Sequence, residues 1–565
     1  MEGYFGNYGS TRDVFNSERR IARTPMTGSS NSVFAAPKCK VRILIVADGG
    51  IHFSNFVSGF GLSEFIKALR ESARGWEDIS ITTALRSDED LDDCTKNLGF
   101  KFNVSNFNRK LYDELWLFGH SNEDDDPAIF LDKSELKAIY AFMNDGGGVF
   151  ATGDHKSLGY ALCGEIPRVK SMRKWQFRNA PTGMKAPGRD DATRLDTLRE
   201  GFDSGFQMTD QSDSIPQEIR PKFFANLGGI GSHPHPLLSD RDSAITVLPD
   251  HQHEGECVIP SDLTQSFKFD GGERFDEYPK LPRSKHRLAP DVVAISTSAG
   301  GYLRGDLVIH VPPVEPRSFN VIVSYDGHLI ERVKGKEKMR IGRVVVDSTF
   351  HHFLDINLSG RGSLDPNKKG FYDANGKPTK DYEAFKRYYR NILTWLLPAD
   401  GRFKYYLTLL VHLRYRGDLM EEFSDSPTFD TEEILYAGTV TREAIAETYS
   451  ASEAIACAVA LSQALGPEFG LKIERLLNPW LPETLYPSKL AILLNSEVLL
   501  RSILGLAMLE ISAHLPIETF PSLQKLDQIE RLPERIFSLM AEKAKTKLGD
   551  FIAAINRLEI FADES

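Results

Sequence analysis

Cysteine is scarce in this chain and never paired. Five cysteines occur in 565 residues, at Cys39, Cys94, Cys163, Cys257 and Cys457. Since no two of them are close in sequence, neither a disulfide framework nor a cysteine-rich zinc module is indicated. Dispersed cysteines are typical of a reducing compartment, and we therefore expect a cytoplasmic protein.

The chain also lacks a long apolar run. No uninterrupted stretch reaches the about 18 residues that a membrane-spanning helix needs, so no membrane segment is predicted. Residues 1–40 are polar, rich in Gly, Ser, Asn and Arg, and have no apolar core of a signal peptide. We expect them to form a flexible N-terminal arm that orders only on a partner.

An excess of positive charge is absent as well. The chain has 68 Lys and Arg against 79 Asp and Glu, which gives a formal net charge of −11. Such a balance gives no strong nucleic-acid signal, because phosphate binding needs a basic surface. The length of 565 residues is too great for one hydrophobic core, so several domains are expected.

What is present is an alternation of strands and helices. The predicted strands are Val41–Ala47, Ile79–Leu85, Glu114–Phe118 and Val149–Ala151, and the predicted helices between them include Leu62–Ala73 and Leu131–Asn144. Strands that alternate with helices build parallel sheets with helices on both faces. The fold class predicted for this region is therefore α/β, with a doubly wound, mainly parallel sheet.

Residues 156–240 differ in composition, being rich in Arg, Lys, Asp, Gly and Pro with few apolar runs. We interpret them as a large insertion over the sheet edge, which could act as a lid. The insertion contains a cationic cluster with two aromatic residues: Lys170, Arg173, Lys174, Trp175, Phe177, Arg178, Lys185 and Arg189. The cluster either binds an anionic ligand or forms a solvated surface, and the solvated surface is favoured.

A second group of strands follows, predicted at Ala244–Leu248, Val292–Ser296, Asp306–His310, Asn320–Tyr325 and Arg343–Asp347. A helix at Asp381–Leu397, stopped by Pro398, is predicted to close an α/β domain that spans residues 41–400. Residues 401–565 have little glycine and show helical spacing near 429–464, 485–515 and 523–560. We expect a separate helical domain for assembly or docking, through which the chain forms a homo-oligomer.

Most histidines of the chain lie at predicted strand ends or in loops, and only His412 and His514 of the fourteen lie in the helical part. A single histidine is more often a capping or core residue, but ligands bind beyond the carboxyl ends of parallel strands. Residues grouped at these ends are therefore expected to share a pocket. They are His120, Asp154, His155, Asp347, His351 and His352.

Asp154 and His155 follow Gly153, where a predicted strand turns sharply. A side chain on such a turn projects over the sheet edge, as the nucleophile does in elbow enzymes. No Ser or Cys occupies the turn, so acyl transfer at this point is disfavoured.

The segment His251-Gln252-His253-Glu254 offers another pair of imidazoles. Alternate residues of an extended segment share one face, and a carboxylate follows the two histidines. This spacing suits a divalent metal with nitrogen and oxygen ligands, namely zinc, manganese or iron. A polar loop held by hydrogen bonds explains the pattern equally well.

Two segments resemble a known superfamily. The sequences GGGVFATGDH (146–155) and GRVVVDSTFHH (342–352), with the strand pattern, resemble the class I glutamine amidotransferase-like superfamily and, within it, the ThuA-like (trehalose-utilisation) branch. The resemblance covers residues 41–397 and implies a flavodoxin-like sheet with its pocket at the Gly153–His155 turn. Amidotransferases carry a cysteine at this elbow, whereas here Asp154 takes its place, which argues against glutamine hydrolysis.

The ThuA-like branch also lacks the elbow cysteine. Its members are associated with the metabolism of sugar derivatives, with help from a metal, and their late Gly-His region corresponds loosely to His351 and His352. The resemblance therefore implies metal-assisted chemistry rather than covalent catalysis by a thiol. The insertion at 156–240 departs from the pattern of the superfamily, and it leaves the substrate open.

The sequence supports two hypotheses of different kinds. The first is a metal-assisted hydrolase or lyase that acts on a small polar substrate, such as a sugar derivative, at the strand carboxyl ends. Its predicted catalytic residues are Asp154, His155, His351 and His352, and its predicted metal ligands are His155, His251, His253 and His351. The second is a non-catalytic sensor or scaffold, which binds a small ligand without turnover and recruits partners or oligomerises through its helical domain.

Overall fold

The central part of the chain is described by a computed structural model. The described residues are 38–48, 50–54, 60–88, 97–120, 130–153, 159–173, 217–226, 231–241, 243–249, 256–269, 274–281, 285–298, 317–334, 337–348, 350, 353–362, 370–462, 473–474, 476–480 and 496–515.

The described residues form β-strands and α-helices with the following bounds. The strands are β1 (Cys39–Ala47), β2 (Glu77–Leu85), β3 (Glu114–Gly119), β4 (Gly148–Gly153), β5 (Gln217–Glu218), β6 (Arg220–Pro221), β7 (Phe223–Asn226), β8 (Gly231–Pro234), β9 (Val247–Leu248), β10 (Ser266–Lys268), β11 (Arg274–Asp276), β12 (Asp291–Ser298), β13 (Arg317–Tyr325), β14 (Glu331–Lys334), β15 (Glu337–Arg340) and β16 (Val344–Asp347). The helices are α1 (Ser63–Glu71), α2 (Lys133–Asn144), α3 (Tyr160–Cys163), α4 (Asp355–Ser359), α5 (Lys380–Leu396), α6 (Ala399–Arg414), α7 (Thr431–Thr448), α8 (Ala451–Ser462) and α9 (Ser496–His514).

An eight-stranded mixed sheet organises these elements, with the spatial order β2-β1-β3-β4-β16-β13-β12-β6. The first five strands in this spatial order, β2, β1, β3, β4 and β16, pair in parallel. This pairing confirms the predicted α/β class with a mainly parallel sheet. The remaining three strands, β13, β12 and β6, pair antiparallel and extend one edge. The four remaining strand pairs form separate two-stranded ladders outside this sheet.

The parallel strands are buried on both faces. Along β1, Ile43 and Ile45 belong to one hydrophobic core, whereas Leu44 and Val46 belong to the other. Side chains alternate between the faces of a strand, so a near-continuous apolar run is what a doubly covered strand requires. Helices α1 and α5 contribute to the first core, and α2 and α3 contribute to the second.

Helix α2 begins where the sequence carries a capping signal. The Asp132 carboxylate accepts the peptide N–H groups of Ser134 and Glu135, and the Glu135 carboxylate accepts the N–H of Asp132. This reciprocal capping box satisfies donors that a helix leaves unpaired at its start. Glu135 also binds the buried Arg86 after β2, which fixes α2 against the sheet.

The helices after Pro398 share the core of the sheet face that α1 covers. Tyr405 of α6, Ile455 of α8 and Leu504 of α9 all belong to this core, together with Ile45 of β1. The chain from Pro37 onward forms one unit of mutual contacts. Folding of residues 401–565 as a separate domain stays a prediction. None of the described helices is long and apolar enough to cross a lipid bilayer.

Several elements differ in extent from the prediction. The helical pattern near 429–464 forms two helices, because the chain breaks at Tyr449 and Ser450 between α7 and α8. Only β9 forms within Ala244–Leu248, and the predicted elements at 306–310 and 523–560 lie outside the described residues. Residues 160–172, which we assigned to the insertion, contribute Leu162, Val169 and Met172 to the second core.

A buried charge network joins the sheet to α5, α6 and α8 at the amino end of β2. The Glu77 carboxylate binds the Arg390 guanidinium and accepts the Tyr405 hydroxyl at 2.5 Å. Next to it, Arg74 forms an ion pair of 3.0 Å with Glu453 of α8. These charges lie out of water, so each of them depends on its partner for compensation.

We expect the substitution Glu77→Gln to lower the free energy of unfolding by about 3–5 kcal/mol, because it leaves the buried Arg390 charge uncompensated. Urea unfolding measures the effect. The matched control is Asp418→Asn, which removes an exposed pair with Arg416 and should cost at most about 1 kcal/mol. Equal losses in the two variants would contradict a special role for the buried pair.

Candidate functional site

The carboxyl ends of the parallel strands meet at one edge of the sheet. We call this edge the rim and define it by Asp48, His120, Gly153 and Asp347, which end or follow β1, β3, β4 and β16. Gly119 of β3 pairs with Gly153, and Ala151 of β4 pairs with Val346 of β16. The residues that follow β3, β4 and β16 therefore start next to one another at this edge.

Two of the predicted rim residues are described, and both lie where we expected them. His120 follows the last residue of β3, and Asp347 is the last residue of β16. The other candidates lie outside the described residues: Asp154, His155, His251, His253, His351 and His352. Their convergence therefore stays a prediction, and the geometry of the residues around them bears on it.

Gly153 and Gly159, the described residues on either side of 154–158, both lie beside Gly119 of β3. Gly153 is the register partner of Gly119, and Gly159 returns against Gly119 so closely that a Cβ built on Gly119 would lie 2.6 Å from the Gly159 Cα. Helix α3 begins directly after Gly159. Residue 119 of β3 and the residue before α3 are thus in backbone contact at a distance that only glycine allows.

His120 is held by groups from two other segments. Its peptide N–H donates to the carboxylate of Asp48, a residue only 1 % exposed. Its ring lies edge-on to Phe60 at 5.7 Å and lies 6.2 Å from the ring of Phe350. Phe350 is buried in the first core and directly precedes His351 and His352 in the sequence.

The carboxylate of Asp347 is fully buried at the end of β16 and accepts the Tyr388 hydroxyl of α5 at 2.6 Å. Burial and the neighbouring Asp347 carboxylate raise the pKa of Tyr388, so the phenol remains a hydrogen-bond donor at neutral pH. The Arg173 guanidinium donates to the Asp347 carbonyl at 3.4 Å. These contacts fix the start of the segment that leads to His351.

The solvated-surface interpretation of the cationic cluster is wrong for its two described members. Arg173 is fully buried against the rim, and Lys170 is buried with its ammonium 4.6 Å from the centre of the Phe267 ring and 3.5 Å from Glu165. The aliphatic stems of both side chains favour burial, and Lys170 is paired with Glu165 whereas Arg173 donates to the Asp347 carbonyl. The other residues of the cluster lie beyond the described chain.

Two thiols lie near the rim without the character of nucleophiles. Burial raises the pKa of Cys163 to about 12, and the nearby Arg173 guanidinium only partly offsets this effect. Burial likewise raises the pKa of Cys257. Since the thiolate is the reactive form, neither cysteine is ionised at neutral pH.

A second polar group lies beside the start of α1. The carboxylate of Asp355 accepts the Ser63 hydroxyl at 2.6 Å and the Glu64 peptide N–H at 2.7 Å, so it caps this helix from a distant segment. The His52 ring and the Asp355 carboxylate both approach Gly61, where a Cβ would lie within 2.6 Å of each. Burial raises the pKa of Asp355.

Sequence reasoning missed Asp48 and Asp355 as site residues, and it favoured a solvated surface for the cluster that contains Arg173. Asp48 directly follows β1, so the rule that selected Asp347 would have found it. Asp355 carries no comparable local signal, because its partners are the remote residues Ser63 and Glu64.

Among the residues that the structure describes, no three His, Cys, Asp or Glu side chains group as a metal site. The predicted ligands lie outside that part of the chain, so a metal stays a prediction. The imidazole groups of these predicted ligands suit zinc, manganese or iron.

Comparison of the chain with protein-family models, with characterised proteins and with solved structures gives no match.

We expect the substitution Gly119→Ala to lower the free energy of unfolding by about 1–3 kcal/mol, because the new methyl group meets backbone atoms of Gly159 that cannot rotate away. The matched control is Gly75→Ala, where a Cβ meets no atom within 4 Å and the change should stay within about 0.5 kcal/mol. Urea unfolding compares the two. Tolerance of alanine at residue 119 would show that the close approach is not required.

His235 has a structural role and makes stability depend on pH. Its Nδ1 accepts the Leu237 peptide N–H at 3.2 Å, and its Nε2 lies 3.2 Å from the Ser324 hydroxyl. Burial, reinforced by the Arg343 guanidinium, lowers the pKa of His235 to about 3. Below the ordinary histidine pKa the unfolded chain binds a proton at His235 that the folded chain does not bind. The contribution of this group to the free energy of unfolding is therefore complete above that pKa and falls as the pH decreases towards 3.

From this group we expect a loss of about 2 kcal/mol between pH 7 and pH 5. The variant His235→Gln should show a shallower decline of unfolding free energy over this interval, whereas the exposed-site control His286→Gln should follow the wild-type curve. Parallel curves for all three proteins would exclude His235 as a source of acid sensitivity.

Proposed function

We propose that this chain is a metal-assisted hydrolase or lyase that acts at the rim on a small polar substrate such as a sugar derivative. We propose further that its parallel strands form a flavodoxin-like sheet of the class I glutamine amidotransferase-like superfamily, in the ThuA-like branch. The strand order supports this part of the proposal. Numbered along the chain, β2-β1-β3-β4-β16 corresponds to the order 2-1-3-4-5 of flavodoxin-like sheets.

One observation carries the functional proposal. The parallel register sets the carboxyl ends of β3, β4 and β16 next to one another, and these ends lead into His120, into Asp154 and His155, and towards His351 and His352. Asp154 and His155 directly follow Gly153, and His351 directly follows Phe350. Because each residue extends the chain by at most about 3.6 Å, their backbones cannot lie far from these described residues.

The roles that we assign follow from chemistry. The imidazoles of His155 and His351, with His251 and His253 from the second segment, are the proposed metal ligands, and His352 is the proposed acid–base group. Asp154 is proposed to orient an imidazole. A bound divalent metal would supply an activated water or polarise a carbonyl group.

The described surroundings support a site that is held in place before substrate arrives. Asp48 anchors the His120 backbone, while Tyr388 and Arg173 anchor Asp347 at the root of the His351 segment. The neutral state of Cys163 and Cys257 argues against a thiol nucleophile at this edge. A reaction assisted by histidine and carboxylate groups remains the chemistry that suits the rim.

Metal content of the purified full-length chain tests the proposal. We expect about one equivalent of zinc, manganese or iron per chain, reduced strongly in His155→Ala and in His351→Ala. The control His514→Ala changes a histidine of α9 that lies far along the chain and should retain the metal. Turnover of polar metabolites, followed by mass spectrometry before and after chelation, supplies the second readout.

The outcomes separate the hypotheses. Wild-type protein without a stoichiometric metal, or turnover that survives chelation, would overturn the metal-assisted reaction. Ligand binding at the rim without turnover would support the sensor hypothesis instead.

A further inference from the structure

A cleft of about 310 Å³ lies at the opposite end of the sheet from the rim. Its walls come from the end of α1, from one face of α5, and from the junction of α7 and α8. Residues 72–76 connect the end of α1 to the first residue of β2, so the cleft lies near the amino end of that strand. Its size is at the lower limit of pockets that hold small molecules.

Two guanidinium groups form the floor of the cleft. The side chains of Arg74 and Arg390 are 13 % and 5 % exposed. Arg74 is held flat against Tyr449, with its guanidinium carbon 3.6 Å from the ring centre, and its Nη1 donates to Glu453 at 3.0 Å. Among the described residues, the side-chain donors of Arg74 other than Nη1 have no acceptor, although a guanidinium carries five N–H groups.

The mouth of the cleft has the opposite charge. The side chains of Glu71 and Glu383 are each 47 % exposed there, and Lys386 lies between them at 3.8 and 3.2 Å. Arg387 also lines the cleft and is 46 % exposed, but its guanidinium pairs with Asp240 at 2.7 Å. The two carboxylates against the one remaining ammonium leave a surplus negative charge. The cleft thus offers spare cationic donors at its floor and spare carboxylate acceptors at its mouth.

This distribution selects the charge of an occupant. An anion would be attracted by the guanidinium groups at the floor and repelled by the carboxylates at the mouth. A cation would be attracted at the mouth and repelled at the floor. A small molecule with one carboxylate and one ammonium satisfies both ends, since Arg recognises carboxylates in a forked geometry and exposed carboxylates bind ammonium groups.

We propose that the cleft binds a small zwitterion of the amino-acid type, with its carboxylate on Arg74 at the floor and its ammonium beside Glu71 and Glu383 at the mouth. The occupant also contacts the junction at Tyr449 and Ser450, so it bridges the helices after Pro398 to α1 and α5. Because the ligand binds the folded chain, it raises the thermal stability of the protein.

Isothermal titration and thermal unfolding of the full-length chain test this proposal with a series of probes. Glycine, β-alanine, γ-aminobutyrate and 5-aminovalerate carry the same two charges at increasing separation, and butyrate and butylamine carry one charge each. We expect at least one zwitterion of the series to bind and to raise the melting temperature, with an optimum separation, and both single-charge probes to bind at least about tenfold more weakly.

Variants then assign the contacts. Glu383→Gln alters an exposed mouth residue without disturbing the buried network, and it should weaken binding roughly tenfold. Arg74→Lys keeps the positive charge at the floor but loses the forked donor geometry, so it should also weaken binding. The control Arg274→Met, at an exposed arginine outside the cleft, should bind as wild type. Failure of every zwitterion to bind, equal binding of butyrate or butylamine, or an affinity unchanged in Glu383→Gln would overturn the proposal.

Discussion

The parallel pairing of β4 with β3 on one side and with β16 on the other is the constraint on which the rest of the structure depends. These strands are buried on both faces, so a slip of one residue would transfer every side chain to the wrong core. The register is therefore fixed by packing. It determines which residues leave the sheet together at the rim, although β16 comes from a distant part of the sequence.

Buried ion pairs hold the helices to this sheet at specific points. Arg86 after β2 binds Glu135 of α2, Arg343 before β16 binds Asp326 after β13, and Arg390 of α5 binds Glu77 of β2. Such pairs add little net stability, because the charges lose their hydration when they are buried. Their effect is positional, since any arrangement that separates the partners leaves a charge without compensation.

The sequence predicted those features that depend on local pattern. The strand limits at β1 and β3 agree with the structure to within two residues, because apolar runs bounded by polar residues identify strands buried on both faces. The helix predicted at Leu131–Asn144 from its apolar spacing begins two residues later, at Lys133, and the capping box of Asp132 and Glu135 is a short-range signal that would have given this start. The α/β class follows from the order of these elements.

Features that depend on tertiary contacts were not predictable in the same way. The break between α7 and α8 contains neither Gly nor Pro, and it coincides with the stacking of Arg74 on Tyr449. A local signal was nevertheless present, because Ser450 and Glu453 have the spacing of a capping box and the Ser450 hydroxyl accepts the Glu453 N–H at 3.1 Å. The burial of Arg173, by contrast, depends on contacts with remote segments such as Asp347.

The two ends of the sheet are linked by the same two helices. Asp355 caps α1 on the rim side, and the last residues of α1 line the cleft. Helix α5 supplies Tyr388 to Asp347 at the rim and Arg390 to the network at the cleft floor. Contiguity of this kind does not by itself constitute allostery, which needs two states that each ligand stabilises differently. It does define the path that such coupling would take. A displacement of α5 along its axis would move, at the same time, the Tyr388 hydroxyl that binds Asp347 and the Arg390 guanidinium that binds Glu77.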